Sequence, residues 1–406
     1  MDDTSDHWTP TRRDYLRGSA MLVGGGLLAG CTGGSSGENA MADDGTTAST
    51  TTTADSSYTV SMAPVGEVSF DRVPESVFTV FPQYADMAVA LGHGDAVDTV
   101  YVPKMSGTTM NHYYHHLDGV SFDWEGLQDP LADGITREEV YELGSDVHFV
   151  DPAYVTTQDG WNRSDVEEVA STVGPWFGNF YSGTHATAPE AYRDDYQYYS
   201  LWELFGKVAQ VFQETERYRQ LEAVHADLLE TIREGLPPAE ERPTAVRVTM
   251  APKRDVFYTY HLNEPGYWLA DTRPLGATDA FAAKDWSNLW GTVDFETMLE
   301  ADPDVILNLW GLTPYASTAT TRERLQDHPV GSQLTAVQND RVYPAGMRYQ
   351  GPLMNLFQLE MGAKQLYPEQ FGAWPGYTDG EPYPDIPTEE QLFDRQRVAA
   401  IVAGDR

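Results

Sequence analysis

Short apolar runs alternate with segments of helical periodicity from residue 58 onward. Runs rich in branched and aromatic residues predict strands at 77–81, 97–102, 147–150, 245–250, 257–260, 305–309 and 341–343. Amphipathic patterns predict helices at 84–91, 137–143, 166–173, 295–300, 322–325 and 352–366. Strands that alternate with helices are typical of βαβ units. The pattern therefore predicts an α/β fold of two Rossmann-like lobes with mainly parallel sheets.

The longest helical pattern lies between the two lobes. Its first apolar stripe runs through 201–212 and is interrupted by the polar residues 213–216. A second stripe follows at Tyr218, Leu221, Leu228 and Ile232. A helix of 20 residues is about 30 Å long, which is enough to join two lobes. We therefore predict a linking helix with a ligand cleft beside it, between the lobes.

The chain divides into six predicted parts. They are an export signal at 1–30, a tether at 31–57, an N-terminal lobe at 58–213, the linking helix at 214–236, a C-terminal lobe at 237–372 and a tail at 373–406. The tether is rich in Gly, Ser and Thr and has no apolar period, so we expect it to be disordered.

The first thirty residues have the features of a lipoprotein signal. Arg12 and Arg13 form a twin-arginine pair, and the apolar stretch at 18–30 is too short to cross a bilayer as a helix. The segment 28–31, Leu-Ala-Gly-Cys, resembles a lipobox. We predict twin-arginine export, lipid attachment to Cys31, and a place on the extracellular face of the cytoplasmic membrane. Cys31 is the only cysteine, which excludes an intramolecular disulfide.

The charge is strongly negative. Sixty-two acidic and 26 basic residues give a formal net charge of −36. Nucleic-acid binding needs clustered Lys and Arg, so this composition argues against it. A dense acidic surface suits a salt-rich environment and, with the export signal, indicates a haloarchaeal protein.

Local catalytic motifs are missing from the sequence. It has no phosphate-binding Gly-x-x-x-x-Gly-Lys, no Gly-x-Ser-x-Gly and no His-Glu-x-x-His. Its one metal-like feature is the run 112–116, His-Tyr-Tyr-His-His, which lacks a full set of ligands. We therefore predict a protein that is not an enzyme, with no cofactor and no direct metal site.

Four segments of the sequence resemble parts of a known protein family. Gly66 to Pro74 precedes the first core strand, and Asp86 to Asp95 forms a helix and a Leu-Gly-x-Gly-Asp turn. The segments 134–138 and 293–307 each place a glutamate before an acidic residue and a buried strand. Together with the signal and tether, these segments resemble the lipid-anchored substrate-binding proteins of ABC importers for iron–siderophore, haem and cobalamin.

The resemblance implies a set of partners. One glutamate on each lobe, Glu138 and Glu296, would dock on an ABC permease dimer that works with its ATPase. The protein would act as a monomer and would bind an iron(III) chelate, a ferric siderophore of the hydroxamate or catecholate type. Haem or cobalamin is the first alternative, with His261 or the run 112–116 as an axial haem ligand. A lipid-anchored surface enzyme or adhesin on the same scaffold is the second.

The resemblance also places the ligand in the cleft, at loops that follow the strands. Aromatic residues pack on flat organic scaffolds, and a cation neutralises an anionic chelate. The candidates that combine these side chains with such loops are Tyr84, Tyr101, Lys104, Tyr154, Trp176, Tyr258, Tyr260, His261, Trp286, Trp310, Arg348 and Tyr349.

Overall fold

A computed structural model describes residues 57–251, 254–286 and 289–404. The predicted export signal, the predicted lipidation site Cys31 and the predicted tether up to residue 56 lie outside the described residues. The described chain has the predicted α/β fold of two lobes.

The first lobe contains a small parallel sheet and an antiparallel hairpin. Its strands are β1 (Tyr58–Met62), β2 (Gly66–Phe70), β3 (Val77–Thr79) and β4 (Val147–Phe149). β3 pairs in parallel with β4, and parallel bridges from Val97 and Trp176 extend this sheet on both sides. The parallel pairing follows from the βαβ pattern, because parallel strands need a long crossover connection.

Helices cover the sheet of the first lobe. They are α1 (Pro82–Ala90), α2 (Pro103–Tyr114), α3 (Arg137–Leu143), α4 (Pro152–Val155), α5 (Arg163–Thr172) and α6 (Leu201–Val211). α1, α2 and α4 each begin with a proline, whose fixed φ suits the first turn of a helix.

The segment predicted as the linking helix forms α7 (Thr215–Gly235). Gln213, with a φ of 57°, lies at the break between α6 and α7. The buried residues of α7 are Leu221, Val224, Leu228 and Ile232, which recur at the spacing of one helix face.

The second lobe contains a mixed sheet. Its strands are β5 (Thr244–Met250), β6 (Val256–Tyr260), β7 (Thr278–Asp279), β8 (Trp290–Asp294), β9 (Val305–Asn308) and β10 (Val342–Pro344). The order is β10-β9-β5-β6-β8, and β7 also pairs with β5. β7 and β9 each pair in parallel with β5, and β10 pairs in parallel with β9. β6 runs antiparallel to both β5 and β8.

The predicted parallel pairing is present in both lobes, and the second lobe adds an antiparallel side formed by β6 and β8. Only a short connection separates β5 from β6, and a parallel crossover needs a dozen residues or more. The helices of this lobe are α8 (Phe295–Ala301), α9 (Thr318–Asp327) and α10 (Thr335–Gln338).

The last long helix joins the two halves of the molecule. α11 (Pro352–Leu366) is buried on all sides and packs against α1, α2, α6 and α7. α12 (Pro368–Phe371) follows, and the chain then returns to α7, where α13 (Arg395–Ala403) packs. Among the described residues, no helix is long and apolar enough to span a membrane.

Candidate functional site

An aromatic cluster lies where the two lobes meet, around the guanidinium group of Arg348. Its members make ring or cation–π contacts with one another across the junction. They are Phe81, Tyr101, Tyr154 and Phe180 from the first lobe, and Tyr260, Trp268, Trp290, Trp310 and Tyr349 from the second.

The ends of parallel strands position part of this cluster. Phe81 follows β3, Trp310 follows β9, and Tyr349 lies in the segment after β10. Loops that follow parallel strands meet at one edge of each sheet, which is where α/β proteins bind ligands. Trp310 also has a φ of 69°, a left-handed conformation that is uncommon for a bulky residue and is often associated with functional sites.

Tyr349 contacts aromatic rings of both lobes. The centroid of its ring lies 5.1 Å from that of Phe81 and 6.2 Å from that of Tyr101, both in the first lobe. It lies 5.2 Å from the ring of Trp268 and 5.6 Å from that of Trp310 in the second lobe. These are contact distances for aromatic rings, so the side chains themselves fill the junction.

Arg348 brings a positive charge into the cluster. Its guanidinium carbon lies 4.6 Å from the ring centroid of Trp268 and 4.7 Å from that of Tyr349. Nη1 donates to the hydroxyl of Tyr260 at 3.2 Å and Nη2 donates to that of Tyr349 at 2.7 Å, while Nε has no hydrogen-bond partner among the described residues. Within the described chain, no carboxylate forms an ion pair with it.

The charge of Arg348 is maintained by its surroundings. Burial lowers the pKa of the guanidinium, but the tyrosine hydroxyls outweigh burial and raise that pKa above its ordinary value. Arg348 is half-buried, and withdrawing a cation from water without a counter-ion is costly, so an anionic group would lower that cost. The arrangement therefore suits an anion with flat, apolar parts.

A buried polar network lies directly behind the cluster. Arg247 Nη1 lies 3.0 Å from Asp271 Oδ1, and the same oxygen accepts a hydrogen bond of 2.9 Å from Gln350 Nε2. Arg247 Nη1 also donates to the carbonyl of Trp268 at 3.3 Å. The network thus fixes the backbone beside Tyr349 and at Trp268.

Backbone hydrogen bonds join the lobes next to the cluster. The amides of Tyr267 and Trp268 donate to the carbonyls of Ser182 and Gly183, at 3.1 and 3.0 Å. Gln83 Nε2 donates to the hydroxyl of Tyr267 at 3.1 Å. The lobes are therefore in direct contact in this structure.

Half of the predicted ligand residues come together in the cluster: Tyr101, Tyr154, Tyr260, Trp310, Arg348 and Tyr349. Tyr258 is buried two residues before Tyr260, so both lie on the same face of β6.

Two predicted ligand residues belong instead to the core of the first lobe. Tyr84 stacks on Phe149, and its hydroxyl accepts a hydrogen bond of 2.8 Å from the amide of Asn179. Trp176 packs against His148 and donates from Nε1 to the carbonyl of Val166 at 2.9 Å. Their polar atoms are satisfied inside the lobe, so neither residue lines the junction.

Three others lie away from the cluster. His261 follows Tyr260 and faces the other side of the sheet, where its Nδ1 lies 3.1 Å from Asp279 Oδ2. Its ring centroid lies 4.6 Å from that of Trp286, the second of the three residues, in a tilted arrangement. Successive residues of a strand point to opposite faces, which explains the separation of His261 from Tyr260. Lys104 is exposed near the start of α2.

The sequence reasoning missed four members of the cluster: Phe81, Phe180, Trp268 and Trp290. Trp290 lies directly opposite Tyr260 in the pairing of β6 with β8. A cross-strand neighbour of this kind can be found only when the register of the sheet is known.

The two predicted docking glutamates occupy equivalent places in the two lobes. Glu138 is the second residue of α3, whose first turn is capped by Thr136; Glu296 is the second residue of α8, which is capped by Asp294. Both side chains are exposed. Glu138 also borders an acidic groove of about 440 Å³ that is lined by Asp129, Asp133, Glu139 and Glu142 among others. Burial and then the neighbouring carboxylates raise the pKa of Glu139.

No group of three or more His, Cys, Asp or Glu side chains in the described part of the chain is placed to hold a metal ion. The run 112–116 spans the end of α2 and the two residues after it, of which His116 contacts the carbonyl of Tyr383.

Known structures share this architecture. A periplasmic binding protein from Veillonella parvula is 15% identical, with a TM-score of 0.52, and the match covers 77% of this chain and 91% of that one. Helicobacter pylori CeuE with Ni(II) bound is 14% identical, with a TM-score of 0.52 and coverage of 77% and 90%. The heme binding protein HmuT is 16% identical, with a TM-score of 0.50 and coverage of 76% and 89%. At these identities the likeness concerns the fold alone.

Among curated protein sequences, none matches this chain closely enough to count as a relative. A sequence model of one family, described as "Periplasmic binding protein", matches residues 77–349, which is more than half of the chain. The matched region begins at β3 and ends at Tyr349, so it includes every member of the aromatic cluster. The chain therefore belongs to the periplasmic binding protein family, whose members are extracytoplasmic solute-binding proteins.

Proposed function

We propose that this protein captures an iron(III)–siderophore outside the cytoplasm and delivers it to the permease of an ABC importer. The observation that carries this proposal is Arg348, a half-buried cation among aromatic rings that has no carboxylate partner in the described chain. Ferric siderophores of the catecholate type are anionic, and those of the hydroxamate type present a dense surface of oxygen acceptors. Guanidinium donors and aromatic faces suit both chemistries.

Ligand entry requires the lobes to separate. The rings of Phe81 and Tyr349 are in contact across the junction, and backbone hydrogen bonds join 182–183 to 267–268. Separation of the lobes would expose Arg348 and the aromatic faces, and closure around the chelate would exclude water from them. The siderophore itself would hold the iron, so the protein would supply no iron ligand and break no bond.

Delivery would use the exposed glutamates at the two helix starts. Glu138 and Glu296 are each free to meet the forked donors of an arginine on a permease subunit. Twin-arginine export and lipid on Cys31 would keep the monomeric protein beside that permease, with the lipid as its contact with the membrane. Export and lipidation are proposed from the sequence alone, since both concern residues before 57.

The binding experiment uses the fluorescence of tryptophan, because Trp268, Trp290 and Trp310 surround the proposed site. We expect saturable quenching by ferrioxamine B or by ferric enterobactin in high salt. The iron-free siderophores serve as controls for the contribution of iron. Absence of saturable quenching with both ferric complexes would contradict the proposal.

Haem is the second candidate ligand. The hydroxyls of Tyr260 and Tyr349 lie at the cluster, and a tyrosine oxygen is one of the axial ligands that haem accepts. His261 is less suited, because its ring faces the other side of the sheet and contacts Asp279. A Soret band after titration with haemin, abolished by Tyr349→Phe or Tyr260→Phe, would favour haem over a siderophore.

A further inference from the structure

The chain after α12 forms a belt around the molecule. We define the C-terminal belt as residues 373–404. It runs from the second lobe to the end of α2 in the first lobe and then to the linking helix α7. Each of these three contacts is made by specific polar groups.

The first anchor of the belt is on the second lobe. The carboxylate of Asp379 accepts hydrogen bonds from the hydroxyl of Ser317 at 2.6 Å and from the amides of Thr318 and Ala319 at 3.1 and 3.0 Å. These groups form the start of α9, where backbone donors are unpaired within the helix. The loop that precedes α9 carries Trp310, so this anchor lies at the end of a loop that contributes to the aromatic cluster.

The second anchor is on the first lobe. The amide of Tyr383 donates to the carbonyl of His112 at 3.1 Å, and His116 Nε2 lies 2.6 Å from the carbonyl of Tyr383. The ring of Tyr383 is buried, with its centroid 5.8 Å from that of Tyr113.

The third anchor attaches the belt to the helices between the lobes. Arg395 Nη2 lies 2.7 Å from Glu360 Oε2 in α11, and the hydroxyl of Tyr383 donates to the same oxygen at 3.0 Å. Both charged side chains are buried, and breaking such a pair by removing one partner leaves an uncompensated charge. Arg397 adds a contact of 3.3 Å to Asp227 in α7.

The distance between the first two anchors is limited by the chain itself. Asp379 and Tyr383 are four residues apart, and an extended chain covers at most about 3.6 Å per residue, or about 14 Å here. The lobes cannot separate further along this edge unless an anchor breaks. We propose that the C-terminal belt limits the separation of the lobes and thereby sets the rate at which bound ligand leaves. The second clause rests on the proposed function.

The test cuts the belt between its first two anchors. Gly380 is exposed, has a φ of 85° and has open space around it, so a protease recognition sequence fits between Gly380 and Glu381. The matched control is the labelled protein without the insertion, because the inserted residues themselves lengthen the chain between the two anchors. Glu142→Cys on α3 and Glu300→Cys on α8, in a Cys31→Ser background, provide spin labels on exposed residues of the two lobes.

Two measurements follow cleavage. Electron paramagnetic resonance gives the distance between the labels without ligand, and we expect a longer and broader distribution after cleavage. Stopped-flow fluorescence gives the dissociation rate of ferrioxamine B, or of ferric enterobactin if that binds more tightly, and we expect a several-fold increase. A second control has the recognition sequence at Gly126, an exposed turn inside the first lobe, and its cleavage is expected to change neither quantity.

Unchanged distances after cleavage of the belt would overturn the proposal, as would an equal change after cleavage at Gly126. The distance measurement needs no ligand, so it separates the belt from the proposed function. If distances change and neither siderophore binds the uncut protein, the belt is supported and the siderophore function is contradicted. If the distances change while the dissociation rate of a bound siderophore does not, the proposal that the belt controls ligand release is contradicted.

Discussion

The carboxylate of Asp86, in α1, accepts a hydrogen bond of 2.9 Å from the backbone amide of Leu353, at the start of α11. The hydroxyl of Tyr114 donates to the other oxygen of the same carboxylate. Asp86 is fully buried, and this burial raises its pKa to about 7 although both hydrogen bonds act in the opposite direction. A group that titrates near neutral pH therefore lies where the first lobe meets α11.

Asp86 gives the stability of the protein a defined pH dependence. Because its pKa is higher in the folded state than in the unfolded state, the folded protein binds the proton more tightly between about pH 4 and pH 7. Its contribution to stability is present at low pH and is lost as the pH rises to 7, by up to about 1.4 kcal/mol per pH unit.

Asp86→Asn is expected to remove this dependence, because the amide is neutral at every pH and keeps an acceptor for Leu353. The free energy of unfolding, measured with guanidinium from pH 4 to 8, should fall less steeply for the variant than for the wild type. Asp151, whose pKa burial raises to about 6, contributes equally to both proteins. Parallel curves for the two proteins would contradict the assignment to Asp86.

Arg348 and Lys104 are both predicted ligand cations, and the structure separates them. Arg348 lies inside the aromatic cluster, whereas Lys104 is exposed near the start of α2. A hydrogen bond to a charged group is worth about 1.5–3 kcal/mol, so Arg348→Met should weaken binding of a ferric siderophore by about 10- to 100-fold. Lys104→Met should leave affinity unchanged. Fluorescence titration of both variants checks this, and equal losses would show that the cluster is not the main contact.

Gly266 is required for the close approach of the lobes. Its φ is 123°, and a Cβ atom there would lie 2.5 Å from the carbonyl oxygen of Gly183, which accepts the amide of Trp268. Gly266→Ala should therefore separate these two segments. We expect a loss in the free energy of unfolding and faster hydrogen exchange at the amides of Tyr267 and Trp268.

Gly160→Ala is the control for Gly266→Ala. Gly160 also has a positive φ, of 83°, but nothing lies within 4 Å of its missing Cβ, so backbone strain of about 1–2 kcal/mol is the whole expected cost. The exchange of the Tyr267 and Trp268 amides should stay at the wild-type rate in this variant. Equal stability losses and equal exchange rates in the two variants would show that the contact with Gly183 has no role.

The docking proposal predicts a loss of transport without a loss of binding. Glu138→Ala combined with Glu296→Ala should strongly reduce siderophore uptake by cells while leaving the affinity of the purified protein unchanged, because both side chains are exposed and neither belongs to the aromatic cluster. The control pair, Glu142→Ala with Glu300→Ala, lies one turn further along the same helices. Normal uptake by the first pair would exclude these glutamates as docking residues.

Periodicity was sufficient to predict the two-lobe α/β fold. It placed strands at 77–81, 147–150 and 305–309, and the structure has β3, β4 and β9 there. The periodicity of apolar residues does not depend on the direction of a strand, so it could not predict that β6 runs antiparallel to β5 and β8. The predicted domain limits stay a prediction.

The site was predicted in part for a similar reason. Trp310, Arg348 and Tyr349 follow strands, and position along the chain was enough to find them. Tyr84 and Trp176 have the same aromatic character in the sequence, but only their neighbours in space show that they belong to the core. Trp268 comes from a loop whose approach to Gly183 depends on tertiary contacts, so local sequence carries no signal for it.

The burial of α11 has a consequence for how the chain folds. Asp86 and Leu353 are 267 residues apart, and α11 covers faces of α1 and α2 that are made early in synthesis. Those faces have no partner until residues 352–366 have left the ribosome, and contacts of such long sequence separation form slowly. The first lobe therefore cannot reach its final packing as an independent unit during translation. Folding is completed by the full-length chain, and a chain truncated before α11 would expose apolar surface that favours aggregation.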